Sequence, residues 1–180
     1  MRTAILLASA LVLTACASSA PSAASSGEQT VRVVGGGGSL TQINTTAVDG
    51  ARVGTVSRPR DQVWAALPEV YRSLGIEVTQ RDERTGVAGN PGFRVRRRLG
   101  ASTISRYLDC GRTQGGPSAD TYEVHFSVLT EVRRDTPGST IVSTMIEATA
   151  RPVNFAGDPV RCASLGELEN RILIALMGQG

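Results

Sequence analysis

Residue types able to do chemistry are few in this chain and stand far apart. They are one histidine, His125, three cysteines, Cys16, Cys110 and Cys162, and an alternating set of arginines, Arg94, Arg96 and Arg98. His125 sits on the polar side of an alternating stretch, with neither an orienting partner nor a nucleophile near it in sequence, and general-base work needs both. The run Gly35-Gly36-Gly37-Gly38-Ser39 lacks the following Lys-Ser/Thr and helix start of a phosphate cradle. The loop Gly111 to Ser118 holds no catalytic type beyond Arg112 and Gln114, so a connector is expected. The expectation is therefore no catalytic residue, no metal, no cofactor and no enzymatic activity.

Arg94, Arg96 and Arg98 alternate with Phe93, Val95, Arg97 and Leu99, so a strand would display the three arginines on one side. Such a face is either solvated, its charge discouraging contact between sheet edges, or an anion surface for lipid headgroups or an acidic partner. Nineteen arginines, no lysine and sixteen acids leave a net charge of +3. With 4% aromatic residues, that falls short of the concentrated basic face and stacking platform of a nucleic-acid binder.

The N-terminus reads as an address. Met1-Arg2 is a cationic start and Ala4 to Leu13 an apolar run, the pattern of a secretory signal over residues 1–15. As a helix the run spans about 15 Å, half of a ~30 Å hydrocarbon core, too short for a membrane span. Leu13-Thr14-Ala15-Cys16 then resembles the bacterial lipobox. The resemblance implies cleavage before Cys16, a diacylglycerol thioether on its sulfur and an acylated amino terminus, palmitate being a typical chain. Two or three chains anchor stably where one does not. Ala17 follows, not the aspartate that resembles an inner-membrane retention signal. In an organism with two membranes this implies the outer membrane, facing the periplasm.

With Cys16 committed to lipid, Cys110 and Cys162 remain in an exported domain, and that parity favours a disulfide. A metal site is the rival, but two cysteines and a distant His125 lack close ligand spacing.

The elements that must position these residues follow. Residues 16–44, rich in Ser, Ala and Gly, are expected to be a flexible tether with a brief strand at Val31–Val34. One domain should occupy 45–180. Ala51 to Val56 reads as a strand; Pro59 and Asp61 start a helix whose stripe is Val63, Trp64, Leu67, Val70, Tyr71 and Leu74, with Gly75 as its stop. Pro68 inside it removes the bond to the Trp64 carbonyl, so a kink is expected. Ile76 to Asp82 and Val87-Ala88 form a hairpin around Glu83–Gly86, and Asn90-Pro91-Gly92 breaks the chain. Ile104 to Cys110 reads as a strand.

The clearest pair is Thr121–Arg133 with Thr140–Arg151 about the turn Asp135–Ser139. Pairing Arg134 with Thr140 sets Val132 against Val142, Val128 against Ile146, Phe126 against Ala148 and Glu123 against Arg151, satisfying both faces. Leu129 and Met145 then meet on the polar face. A last helix carries Leu165, Leu168, Ile172, Leu173, Leu176 and Met177, with Ser164 and Glu167 as a capping box.

This order gives an α+β fold, an antiparallel sheet of about five to six strands with two helices on one face. It resembles the helix-grip domains of BamC-type outer-membrane assembly lipoproteins, by topology over Thr45 to Met177 and by the lipobox. The resemblance implies a membrane-anchored accessory module with a protein partner in the envelope, and carries over no partner-binding residue. The competing class is a carrier of a small apolar ligand between the last helix and the sheet. Large residues filling that space would favour docking; a deep apolar pocket would favour the carrier.

Overall fold

The computed structural model describes residues 28–34, 40–48, 50–153 and 156–178, with side chains described from residue 50 onward. Cys16, the signal segment and the Gly35–Ser39 run lie outside these residues. Strands β1 (Glu28–Val34), β2 (Leu40–Val48) and β3 (Ala51–Val56) lead into α1 (Arg60–Ser73). Then come β4 (Gln80–Asp82), β5 (Val87–Arg96), β6 (Leu108–Asp109) and the short α2 (Ser118–Thr121). The chain ends with β7 (Glu123–Thr136), β8 (Ser139–Arg151), β9 (Val160–Ser164) and α3 (Glu167–Gly178). The sheet is antiparallel in the order β1-β2-β3-β8-β7-β5-β4, with β9 pairing β8 and β6.

The β7–β8 ladder takes the expected register, with Val132 opposite Val142, Val128 opposite Ile146, Phe126 opposite Ala148 and Glu123 opposite Arg151. Its inner positions, Val124 to Val132 and Thr140 to Ala150 at every second residue, are buried. Both long helices lie on that inner face and touch each other. The Tyr71 hydroxyl of α1 meets Thr130 at 2.9 Å, and Leu173 of α3 sits directly over Gly54. The fold class is thus α+β, a large antiparallel sheet carrying two substantial helices.

Helix α1 buries Val63, Trp64, Leu67, Val70 and Tyr71, the stripe its spacing demands. It runs uninterrupted through Pro68. The Trp64 carbonyl, which Pro68 cannot serve, accepts a hydrogen bond from the Arg81 guanidinium at 3.3 Å, and the same guanidinium stacks 4.7 Å from the Trp64 ring centre. At the other end Gly75 takes φ 79°, which costs glycine nothing. Its N–H bonds the Arg72 carbonyl and that of Ile76 the Tyr71 carbonyl, closing the helix with a Schellman motif.

Several expectations need correction. The strand expected over Ile76–Asp82 pairs only from Gln80, because the Asn90 side chain and the Gly89 carbonyl hold Glu77 and Thr79 by single bonds. Asn90-Pro91-Gly92 does not end β5. Pro91 and Gly92 stand opposite Ser127 alone, a bulge in which the missing proline N–H is harmless. Ile104–Arg106 is a 3-10 turn and not a strand, held by Asp120, which accepts from the Ser105 N–H at 2.9 Å and hydroxyl at 2.6 Å. Gly111 to Ser118 contains a two-residue ladder and runs into α2.

Near the C-terminus, Ser164 ends β9, a strand the sequence reading lacked, and its hydroxyl donates to Glu169, not Glu167. Leu165 is 52% exposed. Near the N-terminus, β1 and β2 occupy part of the segment assigned to a tether, and the boundary set at residue 45 falls inside β2. Val31, Val33, Ile43, Thr45 and Thr46 supply the β-branched residues such strands favour.

The closest approach of helix to sheet yields a prediction. A Cβ on Gly54 would lie 2.3 Å from Leu173 Cδ2, so Gly54→Val should cost about 1–3 kcal/mol. Leu173→Ala alone should cost about 2–5 kcal/mol. In urea unfolding the double variant should be clearly more stable than the sum of the two; strict additivity would contradict this packing.

Candidate functional site

The inner face of the sheet is filled, so a binding surface has to be sought on the other face, where no helix lies. Its residues on β7 are Glu123, His125, Ser127, Leu129 and Glu131, all half-buried. Their neighbours across the sheet form rows. Arg96, Glu123 and Arg151 make one; Arg94, His125, Thr149 and Arg161 make the next, reaching from β5 to β9. Ser127 and Glu147 follow, then Leu129 and Met145, the latter 39% exposed.

Across the bulge, Pro91, Gly92, Arg94, His125, Ser127, Glu147 and Thr149 outline an open basin of about 440 Å³. Glu123 lies 3.9 Å from Arg94 and 3.5 Å from His125. Arg96, Arg151 and Arg161 have no ion pair among the described residues, whereas Arg133, farther along the face, is paired with Glu131 at 3.3 Å. A cation next to one carboxylate and an imidazole can hold and orient an anion; Thr149 stands opposite His125 and Ser127 two residues along, and among the described residues neither hydroxyl is hydrogen-bonded to the imidazole as a nucleophile–base pair would be. No group of three metal-ligating side chains occurs among the described residues.

Arg94 and Arg96 share the uncovered face. Arg98 departs from the expected alternation. β5 ends at Arg96, Arg97 adopts φ 67°, and Arg98 begins a separate two-residue ladder with Thr103, its guanidinium turned to the Ala101 carbonyl. Arg97 holds that left-handed conformation while its carbonyl accepts the Ile104 N–H at 3.2 Å. The sequence reading missed Arg151 and Arg161 as members of the face. Arg151 was legible from the β7–β8 register, and Arg161 was hidden because β9 was not recognised.

Cys110 and Cys162 form a disulfide, with sulfurs 2.06 Å apart. Cys162 lies in β9, where it pairs with Ala148, so the bond staples the segment after β6 to β9 and only through β9 to α3. Beside this staple is a group absent from the sequence reading. Glu169, 3% exposed, accepts from Ser164 with one oxygen, while its Oε2 has no partner among the described residues.

Two measurements follow from this corner. The disulfide closes a loop of 52 residues, so reduction should lower stability by about 4 kcal/mol at most. Two reactive thiols in the folded, unreduced chain would contradict the bond. Burial raises the Glu169 carboxyl above its ordinary range, against smaller downward pulls from Ser164, its own N–H and Arg52. The stability it contributes is full below its unfolded value of about 4.3 and is lost as pH rises through the raised folded value. Glu169→Gln should flatten that slope and raise the thermal midpoint near neutral pH; an unchanged slope would remove Glu169 as its source.

No family model, curated protein or solved structure matches this chain.

Proposed function

We propose that this chain is a membrane-anchored envelope lipoprotein whose domain is a non-enzymatic interaction module, an assembly accessory that docks on protein partners. The anchor is the acylated Cys16, and Ala17 after it favours the outer membrane, facing the periplasm. What carries the module reading over the carrier reading is the packing beneath α3. Leu168, Ile172, Leu173 and Leu176 are buried there, and at Gly54 the sheet has room only for a hydrogen beneath Leu173. A small apolar ligand would have to displace that side chain. The uncovered face, with its basin and its arginines, is left open by both helices.

The anchor has a direct test. Mass spectrometry of the mature protein should find a chain beginning at Cys16 and carrying two or three acyl chains, and Cys16→Ser should abolish both the acylation and the membrane fractionation. A mature form starting elsewhere, or free of acyl groups, would end the reading. For the module, crosslinking in intact cells followed by pull-down through the tether should trap a protein. Co-purified lipid with no crosslinked protein would move the assignment to the carrier.

A further inference from the structure

The uncovered face holds more positive charge than it neutralises. Arg94, Arg96, Arg151 and Arg161 lie on three strands, β5, β8 and β9, with β7 between the first two, and the carboxylates beside them on these strand rows are Glu123 and Glu147. Glu123 is engaged by Arg94 and His125. The Arg94 side chain is still 68% exposed. Edge protection accounts for charge on β5, whose segment beyond β4 is open, and on β9, which at Arg161 has a neighbour on one side only, but Arg151 stands on β8, which has β7 on one side and β9 on the other as far as Ala150.

We propose that this face lies against the anionic phospholipid headgroups of the bilayer that holds the anchor. The proposal rests on the lipoprotein reading. Three features favour a bilayer over an acidic polypeptide. The arginines are spread over a broad strand face and not gathered in a cleft. Met145, exposed opposite Leu129 on the same face, adds an apolar contact beside them. And eleven residues separate Cys16 from Glu28, so the covalent chain cannot carry the start of β1 more than about 40 Å from the anchor. Within that reach the domain meets the headgroup potential at high local concentration.

The acylated full chain is placed in neutral phosphatidylcholine vesicles and in vesicles containing phosphatidylglycerol, and arginine modification by phenylglyoxal is followed by peptide mass spectrometry. Modification of Arg94, Arg96, Arg151 and Arg161 should slow several-fold with phosphatidylglycerol alone, and the effect should fade in high salt. Arg72, on α1 on the covered side, should react equally in both. Arg151→Ser with Arg161→Ser should remove most of that several-fold protection at Arg94 and Arg96, since each arginine near a charged surface is worth roughly fivefold in binding, and Glu147→Gln should strengthen it.

Equal reactivity in both vesicles overturns the proposal, as does protection by added polyglutamate and not by phosphatidylglycerol, which assigns the face to an acidic protein. Flotation separates the two readings. A chain that floats with neutral vesicles but shows no arginine protection keeps its anchor and loses this surface. One that floats only with acidic vesicles loses the anchor and keeps the surface.

Discussion

Everything in this domain is referred to the ladder between β7 and β8. Fourteen and thirteen residues long, these strands alternate so strictly that a slip of one residue would turn every inner side chain to water. Their register fixes the inner face on which α1 and α3 rest and the outer face on which the charges stand. It also fixes where β3 and β9 can pair, since the two share the same side of β8, β3 along Thr140–Met145 and β9 along Ala148–Ala150. Val128 and Ile146, both inner, lie in the middle of that arrangement.

What the sequence made legible is what period and charge encode. The β7–β8 register could be read because its two faces differ in polarity and because Glu123 and Arg151 oppose each other. Helix α1 could be read because five of its buried residues recur at helical spacing on both sides of Pro68. The misses are short segments whose conformation is set by partners remote in sequence. The turn at Ile104 depends on Asp120, and β9 has only Ala148–Ala150 and the two residues of β6 to pair with. Five residues carry too little alternation to announce a strand. Ser164 satisfied the capping pattern on paper, yet its hydroxyl found Glu169, because α3 starts only at Glu167 and leaves Ser164 in β9, short of the position where a cap would form. The candidate site was half legible for the same reason: Arg94 and Arg96 belong to a long strand, Arg161 to a short one.

The interior shows how polar groups are accommodated where apolar ones would be simpler. Tyr71, Thr130 and Thr144 pass a chain of hydroxyl contacts, 2.9 and 2.8 Å, from α1 into the middle of the ladder. Thr130 bonds on both sides and each end hydroxyl bonds to it, so burial leaves none of them orphaned and the chain ties the helix to one register. Burial also drives the Tyr71 phenol upward, keeping it neutral. The Trp64 carbonyl is rescued by Arg81 in the same spirit. Glu169 is the exception, buried with one oxygen unpartnered. It sits where the disulfide, β9 and the start of α3 converge, and its net cost there is carried by the apolar packing of Leu168, Ile172 and Leu173 next to it.

A sheet with two helices on one face has to answer for its other face. One end of that face is charged: the rows run Arg-Glu-Arg and Arg-His-Thr-Arg before reaching Leu129 and Met145, and the apolar Val53, Val87 and Ile141 stand only beyond them. Stability alone asks only that such a face be polar, and pairing each cation with a carboxylate would meet that demand at least as well, as Glu131 and Arg133 do farther along. Leaving Arg96, Arg151 and Arg161 without an ion pair among the described residues, within a few strands of one another, raises mutual repulsion and contributes nothing to the core. Such an arrangement is costly in the free domain and becomes favourable when counter-charge arrives from outside. The imbalance between the two ends of one sheet face is therefore better explained by what binds to it than by how the chain folds.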